Sequence, residues 1–136
     1  MTDIFTWVKI FVAGICGMFT YIFGGMDTVL QVLVILMVID YITGVSAAIC
    51  KKVLSSHTGF TGIMKKITIL CVVACAHLLG NAMGIGEIRS AVIGFYIANE
   101  SISIVENSAD MGIPMPKKLI AILKKFKEQE DETDDL

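Results

Sequence analysis

With 136 residues, 55% of them hydrophobic and only 18% charged, and a mean hydropathy of +0.76, the chain is too apolar for an ordinary soluble domain, which carries about a quarter charged residues. Its formal net charge of -2 hides a segregation of sign. Lys51, Lys52, Lys65 and Lys66 bracket one stretch, and everything from Lys117 onward is charge-rich. This pattern excludes a uniformly basic nucleic-acid binder and points to a single helical unit in a lipid bilayer.

The first apolar run is Ile4 to Phe23, broken only by Lys9, whose long stem can carry its ammonium to the membrane interface. Trp7 and Tyr21, near its two ends, suit the interfacial aromatic belts. No basic region precedes the run, and Cys16 follows the bulky Ile15, so the segment reads as retained rather than as a cleaved signal peptide. Gly24 and Gly25 then make a tight turn, with Asp27 beside it, and so short a link forces the next span antiparallel. That second run, Thr28 to Ile49, is apolar almost throughout and long enough to cross a hydrocarbon core of about 30 Å. Asp40 sits near its middle. A carboxylate there costs about 2.5–3.5 kcal/mol on insertion scales, so it is expected to face a bundle interior or a watery path.

Cys50 to Lys66, CKKVLSSHTGFTGIMKK, is polar and glycine-punctuated and reads as a loop. The third run, Ile67 to Met83, lies at the short end of the spanning range. Ala76, Gly80 and Gly84 recur every four residues, a small-residue ridge that either packs two helices of one chain or serves as an oligomerisation surface between protomers. In the fourth run, Ile88 to Val105, polar residues crowd the second half. Glu100, Ser103 and Asn107 share one helical face, flanked by Asn99 and Glu106. Such a helix either spans with its polar stripe turned inward or lies on the interface, so the expectation is an all-α membrane protein of three to four transmembrane helices.

Lysine placement favours four. If the Cys50–Lys66 stretch is cytoplasmic, the runs alternate outward and inward, every lysine falls on or near the cytoplasmic side, and Arg89 alone lies outside. Both termini are then cytoplasmic. After residue 107 the chain leaves the membrane through Pro114 and Pro116, and residues 108–127 read as a cytoplasmic segment with a basic amphipathic helix. Its Lys117, Lys118, Lys124, Lys125 and Lys127 suit an anionic leaflet. Residues 128–136, EQEDETDDL, read as an acidic disordered tail behind a membrane domain spanning residues 1–107.

No catalytic constellation is legible. The two histidines, His57 and His77, belong to no metalloprotease, nucleophile-elbow or phosphate-loop pattern. Cys71 and Cys75 are one turn apart but lack the further ligands of a tetrahedral site, and with Cys16 and Cys50 they read as packing residues. The basic segments lack the interleaved aromatics of a nucleic-acid groove. The expectation is therefore a protein that is not an enzyme, with no cofactor, no metal and no nucleic-acid partner. What stands out instead is Asp40 with Glu100. Each lies equally far into its run, so in the four-span arrangement the two carboxyls reach similar depth, with Thr43, Ser103 and Asn107 completing a polar face. That face either ties helices together or lines water in an assembly.

At these residues the chain resembles the multi-span phage holins, including the toxin-secretion/phage-lysis type. Asp40-Tyr-Ile-Thr43-Gly44 resembles the D-x-x-T-G of a holin span, and Ser55, Ser56, Gly59, Gly62, Lys65 and Lys66 resemble the family's serine, glycine and lysine loop. Asn99-Glu100-Ser-Ile-Ser103-Ile-Val-Glu106-Asn107 resembles its N-E-x-x-S-I-x-E-N helix, followed by Gly112, Pro114 and Pro116 in the G-x-P-x-P exit. The motifs fall in order over residues 27–123. The resemblance implies a homo-oligomer in the bacterial cytoplasmic membrane that opens lesions for an endolysin, or for a secreted toxin. The acidic end departs from the short basic tail common in holins. Two other classes fit the residues alone: a small ion channel or proton-coupled exporter using Asp40, and a membrane scaffold.

Overall fold

The structure is a computed structural model that describes residues 2–122 and 125. Four helices dominate it: α1 (Thr2–Phe23), α2 (Thr28–Cys50), α3 (Ser56–Met83) and α4 (Glu87–Asp110). All four are long and apolar enough to cross a membrane. Among the described residues there is no strand.

Two of the helices, α2 and α3, start on side-chain caps. The Asp27 side chain accepts the Leu30 amide at 3.1 Å and caps α2. The Ser55 hydroxyl does the same for α3, accepting the Thr58 amide at 3.1 Å. Gly84 closes α3 with φ +70, and the Ile85 amide returns to the Gly80 carbonyl at 2.8 Å.

The Ser55 cap corrects the reading of the Cys50–Lys66 stretch as a loop. The link is only residues 51–55, and α3 begins at Ser56, about three turns before the apolar run at Ile67. Gly59 and Gly62 are interior helix positions. A Cβ on Gly62 would lie 3.3 Å from Tyr41 Cε2, and one on Gly59 would lie 3.4 Å from the Tyr41 hydroxyl. Their glycines let the Tyr41 ring of α2 lie flush on α3.

Helix α4 runs alongside α2 and α3 as a full-length member of the bundle, not across it as a surface helix. It is parallel to α2 and tied to it at three levels. Arg89 meets Asp27 at one end, Asn107 meets Asp40 further along, and Asp110 meets Lys51 at 2.7 Å at the other end. The compact core lies toward the Gly24–Asp27 end, where Leu30, Leu33, Met37, Val73 and Ile93 are buried. Phe19 and Phe23 of α1 pack against it.

Outside that core, large apolar side chains face outward along all four helices, Phe5, Ile35, Leu79 and Phe95 among them. In water that much exposed hydrocarbon would drive aggregation. In lipid it is the expected exterior, since acyl chains are as apolar as the side chains. The chain is a multi-pass membrane protein.

Beyond α4, Gly112 and the two prolines end the helix, and residues 117–122 form a short helical turn anchored on the Pro116 carbonyl. Lys117 and Lys118 lie in it, and Lys125 is described beyond it. Lys124, Lys127 and the acidic end, residues 128–136, lie outside the described residues.

Candidate functional site

Midway along the bundle the polar residues of three helices meet. Asp40 comes from α2, Lys66 from α3, and Glu100 and Asn107 from α4. The Lys66 ammonium pairs with Asp40 Oδ2 and with Glu100 Oε2 together. Side-chain exposures of 17% for Lys66, 12% for Asp40 and 5% for Glu100 show how far all three are removed from the surface. The other Asp40 oxygen, Oδ1, accepts Asn107 Nδ2 at 3.0 Å. Nδ2 also lies 3.1 Å from the Thr43 hydroxyl and 3.3 Å from the Asp40 carbonyl. Thr43 in turn donates to that same carbonyl at 3.0 Å. Every buried side-chain nitrogen and oxygen among the described residues has a partner.

The local sequence explains the convergence. Gly44 lies directly against Asn107, where a Cβ would stand in ordinary van der Waals contact with Nδ2 at 3.5 Å. Gly59, Gly62 and Lys66 follow at i, i+3 and i+7, one face of α3, so the face that rests on Tyr41 also aims Lys66 at the acids. Depth counting along the sequence pairs the two carboxyls, whereas local polar and glycine content places their cation in a loop. The signals for Lys66 were the Ser55 cap and that glycine–glycine–lysine spacing.

Beside the cluster opens a groove of about 1040 Å³ between α2, the first half of α3, and α4. Asp40, Lys66, Glu100, Ser103 and Asn107 line it, with Tyr41 and Phe95 among the apolar walls. Of the five polar-face residues, Asp40, Thr43, Glu100 and Asn107 fall into one bonded network, and Ser103 stands on the groove wall.

The small-residue ridge lies elsewhere. Ala76 and Gly80 are buried inside the chain, and a Cβ on Gly80 would come within 2.7 Å of the Ile85 carbonyl oxygen. Gly84 forms the α3 cap. The α3–α4 turn therefore packs directly on this ridge.

A second polar cluster stabilises the opposite end of α2 and α4. The Arg89 side chain, 10% exposed, meets Asp27 and also donates to the Phe23 and Gly25 carbonyls at 2.6 and 3.2 Å. His77 lies against Gly24, and its Nε2 is 3.1 Å from Asn81 Nδ2. Arg89 is not a candidate that composition or spacing singles out.

Fold and site together define a small four-helix membrane protein with an ion cluster buried between its helices. The chain belongs to the bacteriophage holin family, whose profile matches residues 17–128. It is 34% identical over 119 residues to a probable holin of Bacillus phage phi105, covering 85% of this chain and 87% of that one. It is 44% identical over 132 residues to an uncharacterised protein of Listeria innocua, covering 94% of each. A 14.9 kDa protein of Clostridium perfringens, encoded 3′ of nagH, is 38% identical over 128 residues, covering 93% of this chain and 97% of its own length. No solved structure matches the chain.

Proposed function

We propose that this chain is a holin that assembles as a homo-oligomer in the bacterial cytoplasmic membrane and opens lesions through which an endolysin leaves the cell. A secreted toxin is the other cargo the reading admits. The carrying observation is the Asp40–Lys66–Glu100 cluster with Asn107 and Thr43, held beside an open groove. A lesion-forming protein must sit harmlessly in lipid and later present walls that water can wet. A network whose members satisfy one another meets the first need, because an unpaired intramembrane charge is costly. The same groups can exchange partners for water when helices part, which meets the second. The family membership and the probable-holin relative support this reading.

In this reading both termini face the cytoplasm, because the lysines then concentrate on that side. Lys117, Lys118 and Lys125 rest against the anionic leaflet. A cysteine placed at Met111 would resist a membrane-impermeant label in intact cells, and labelling from outside would refute the orientation.

The functional test pairs the chain with an endolysin lacking its own signal peptide. Asp40→Asn and Glu100→Gln, compared at matched membrane levels, should each shift the time of lysis. Unchanged timing in both would sink the proposed role of the cluster. Release of the folded enzyme into the medium separates a holin from an ion channel, which would dissipate gradients and retain the enzyme.

A further inference from the structure

The groove is lined by α2, α3 and α4, and by no residue of α1. Meanwhile α1 touches the core of its own chain only near Phe19 and Phe23, and Ile4, Trp7, Phe11 and Ile15 stand exposed. Its one cation, Lys9, is exposed and makes no hydrogen bond or ion pair among the described residues. The groove carries the opposite sign of charge. Three acids, Asp40, Glu100 and Glu106, line it against two lysines, Lys65 and Lys66, leaving one negative formal charge.

The levels also match. Arg89 binds the Phe23 carbonyl and the Asp27 carboxylate, so the end of α1 and the starts of α2 and α4 lie at one level. Counting from there at 1.5 Å per residue, Asp40 and Glu100 lie about 20 Å deep, Lys9 about 21 Å and Glu106 about 28 Å. The free cation of α1 thus falls between two acids of the groove.

We propose that α1 of one copy docks in the groove of a second copy, with its Lys9 ammonium between Glu100 and Glu106. This interface rests on the assembly part of the holin reading and gives it a geometry. The two surfaces differ, so each copy offers one α1 and one groove. Such head-to-tail contacts build rings or open arrays rather than closed pairs.

Disulfide crosslinking in membranes tests it. Two differently tagged chains, each with Cys16, Cys50, Cys71 and Cys75 replaced by alanine, are expressed together. One carries Val12→Cys and the other Ala98→Cys, positions both about 16 Å from the Gly24–Asp27 end. The expected product on oxidation is a mixed-tag dimer. Lys9→Glu should lower its yield about tenfold, the loss of one intramembrane polar contact. Glu106→Lys in the Ala98→Cys copy should restore the yield. A product made only of Val12→Cys pairs, no product, or a yield indifferent to Lys9→Glu would overturn the interface. If the cysteine-free chain accumulates poorly, photocrosslinking from position 12 in the otherwise unchanged chain reads the same contact. Endolysin release in the same strains separates the two readings. Mixed dimers without release leave the interface standing and remove the lesion; release without mixed dimers does the reverse.

Discussion

The Arg89 guanidinium holds the Asp27 carboxylate with two nitrogens, Nη1 to Oδ2 at 2.7 Å and Nη2 to Oδ1 at 3.0 Å. The pair joins the first turn of α4 to the α1–α2 turn. Parallel α2 and α4 are connected only through α3 in the chain, and this contact fixes their relative level at the Gly24–Asp27 end, as Asn107–Asp40 and Asp110–Lys51 do further along. It is a planar fork on a planar acceptor, a geometry lysine cannot reproduce.

The pair has a pH signature. The Arg89 hydrogen bonds hold the Asp27 carboxyl below its usual range, partial burial opposes them, and the Leu30 amide adds to them. A carboxyl depressed in the folded state contributes stability that is complete above its unfolded pKa and lost as pH falls through the folded one. Arg89→Ala should flatten this acid-side loss. At neutral pH it should cost about 2 kcal/mol, because buried carbonyl acceptors lose their donor as well. Arg89→Lys should recover only part. Unfolding in mixed micelles, followed by circular dichroism from neutral into acid, reads both; parallel pH curves for variant and parent would contradict the assignment.

The two turn glycines should behave differently. Gly24 has φ +79, and a Cβ there would meet the His77 ring at 2.8 Å and Arg89 Nε at 3.0 Å. Gly25 has φ +94 with open space around it. Gly25→Ala should therefore carry backbone strain alone, about 1 kcal/mol. Gly24→Ala must also displace His77 and Arg89, for about 1–3 kcal/mol more. Equal losses in the same unfolding assay would mean that the turn does not pack against α3 and α4.

Four helices, their antiparallel succession and the pairing of Asp40 with Glu100 were legible because apolar runs and depth counting are local properties of the chain. Lys66 was not. Polar and glycine content argue for a loop when Ser55 to Lys66 is read for propensity, whereas in the bundle those glycines are sites of close approach to Tyr41. Tertiary contact overrides the local signal there. Arg89 was missed for a related reason: its three partners, Phe23, Gly25 and Asp27, lie on the far side of two helices in sequence. The α3 ridge shows the converse. Its small-residue spacing is visible in sequence, but not that the carbonyl of Ile85 occupies the space beside Gly80.

The early start of α3 is itself testable. Ser55 caps it through the Thr58 amide and bonds the Thr58 hydroxyl at 2.8 Å. Ser55→Ala should cost about 1 kcal/mol locally. Amide exchange in residues 58–66 should accelerate several-fold while the buried part of α3 around Val73 stays protected. Uniform acceleration along α3 would show that the cap acts on the whole bundle, and no change would place the start of α3 closer to Ile67.

The ion cluster makes the sharpest demand. Lys66→Met leaves Asp40 and Glu100 facing one another without their cation, and breaking a buried pair from one side costs about 3–5 kcal/mol. Replacing all three groups with neutral residues of similar shape, Asp40→Asn, Lys66→Met and Glu100→Gln together, removes the uncompensated charge along with the pair. The triple variant should therefore regain most of the stability lost by Lys66→Met alone. Asn107 can still donate to an amide oxygen at position 40, so that arm of the network need not break. Thermal unfolding of purified chains in matched micelles gives the comparison. If the triple variant is as unstable as Lys66→Met, the loss comes from the missing lysine stem and its packing rather than from charge. The cluster would then be a matter of shape, and its role as an exchangeable polar wall would fail with it.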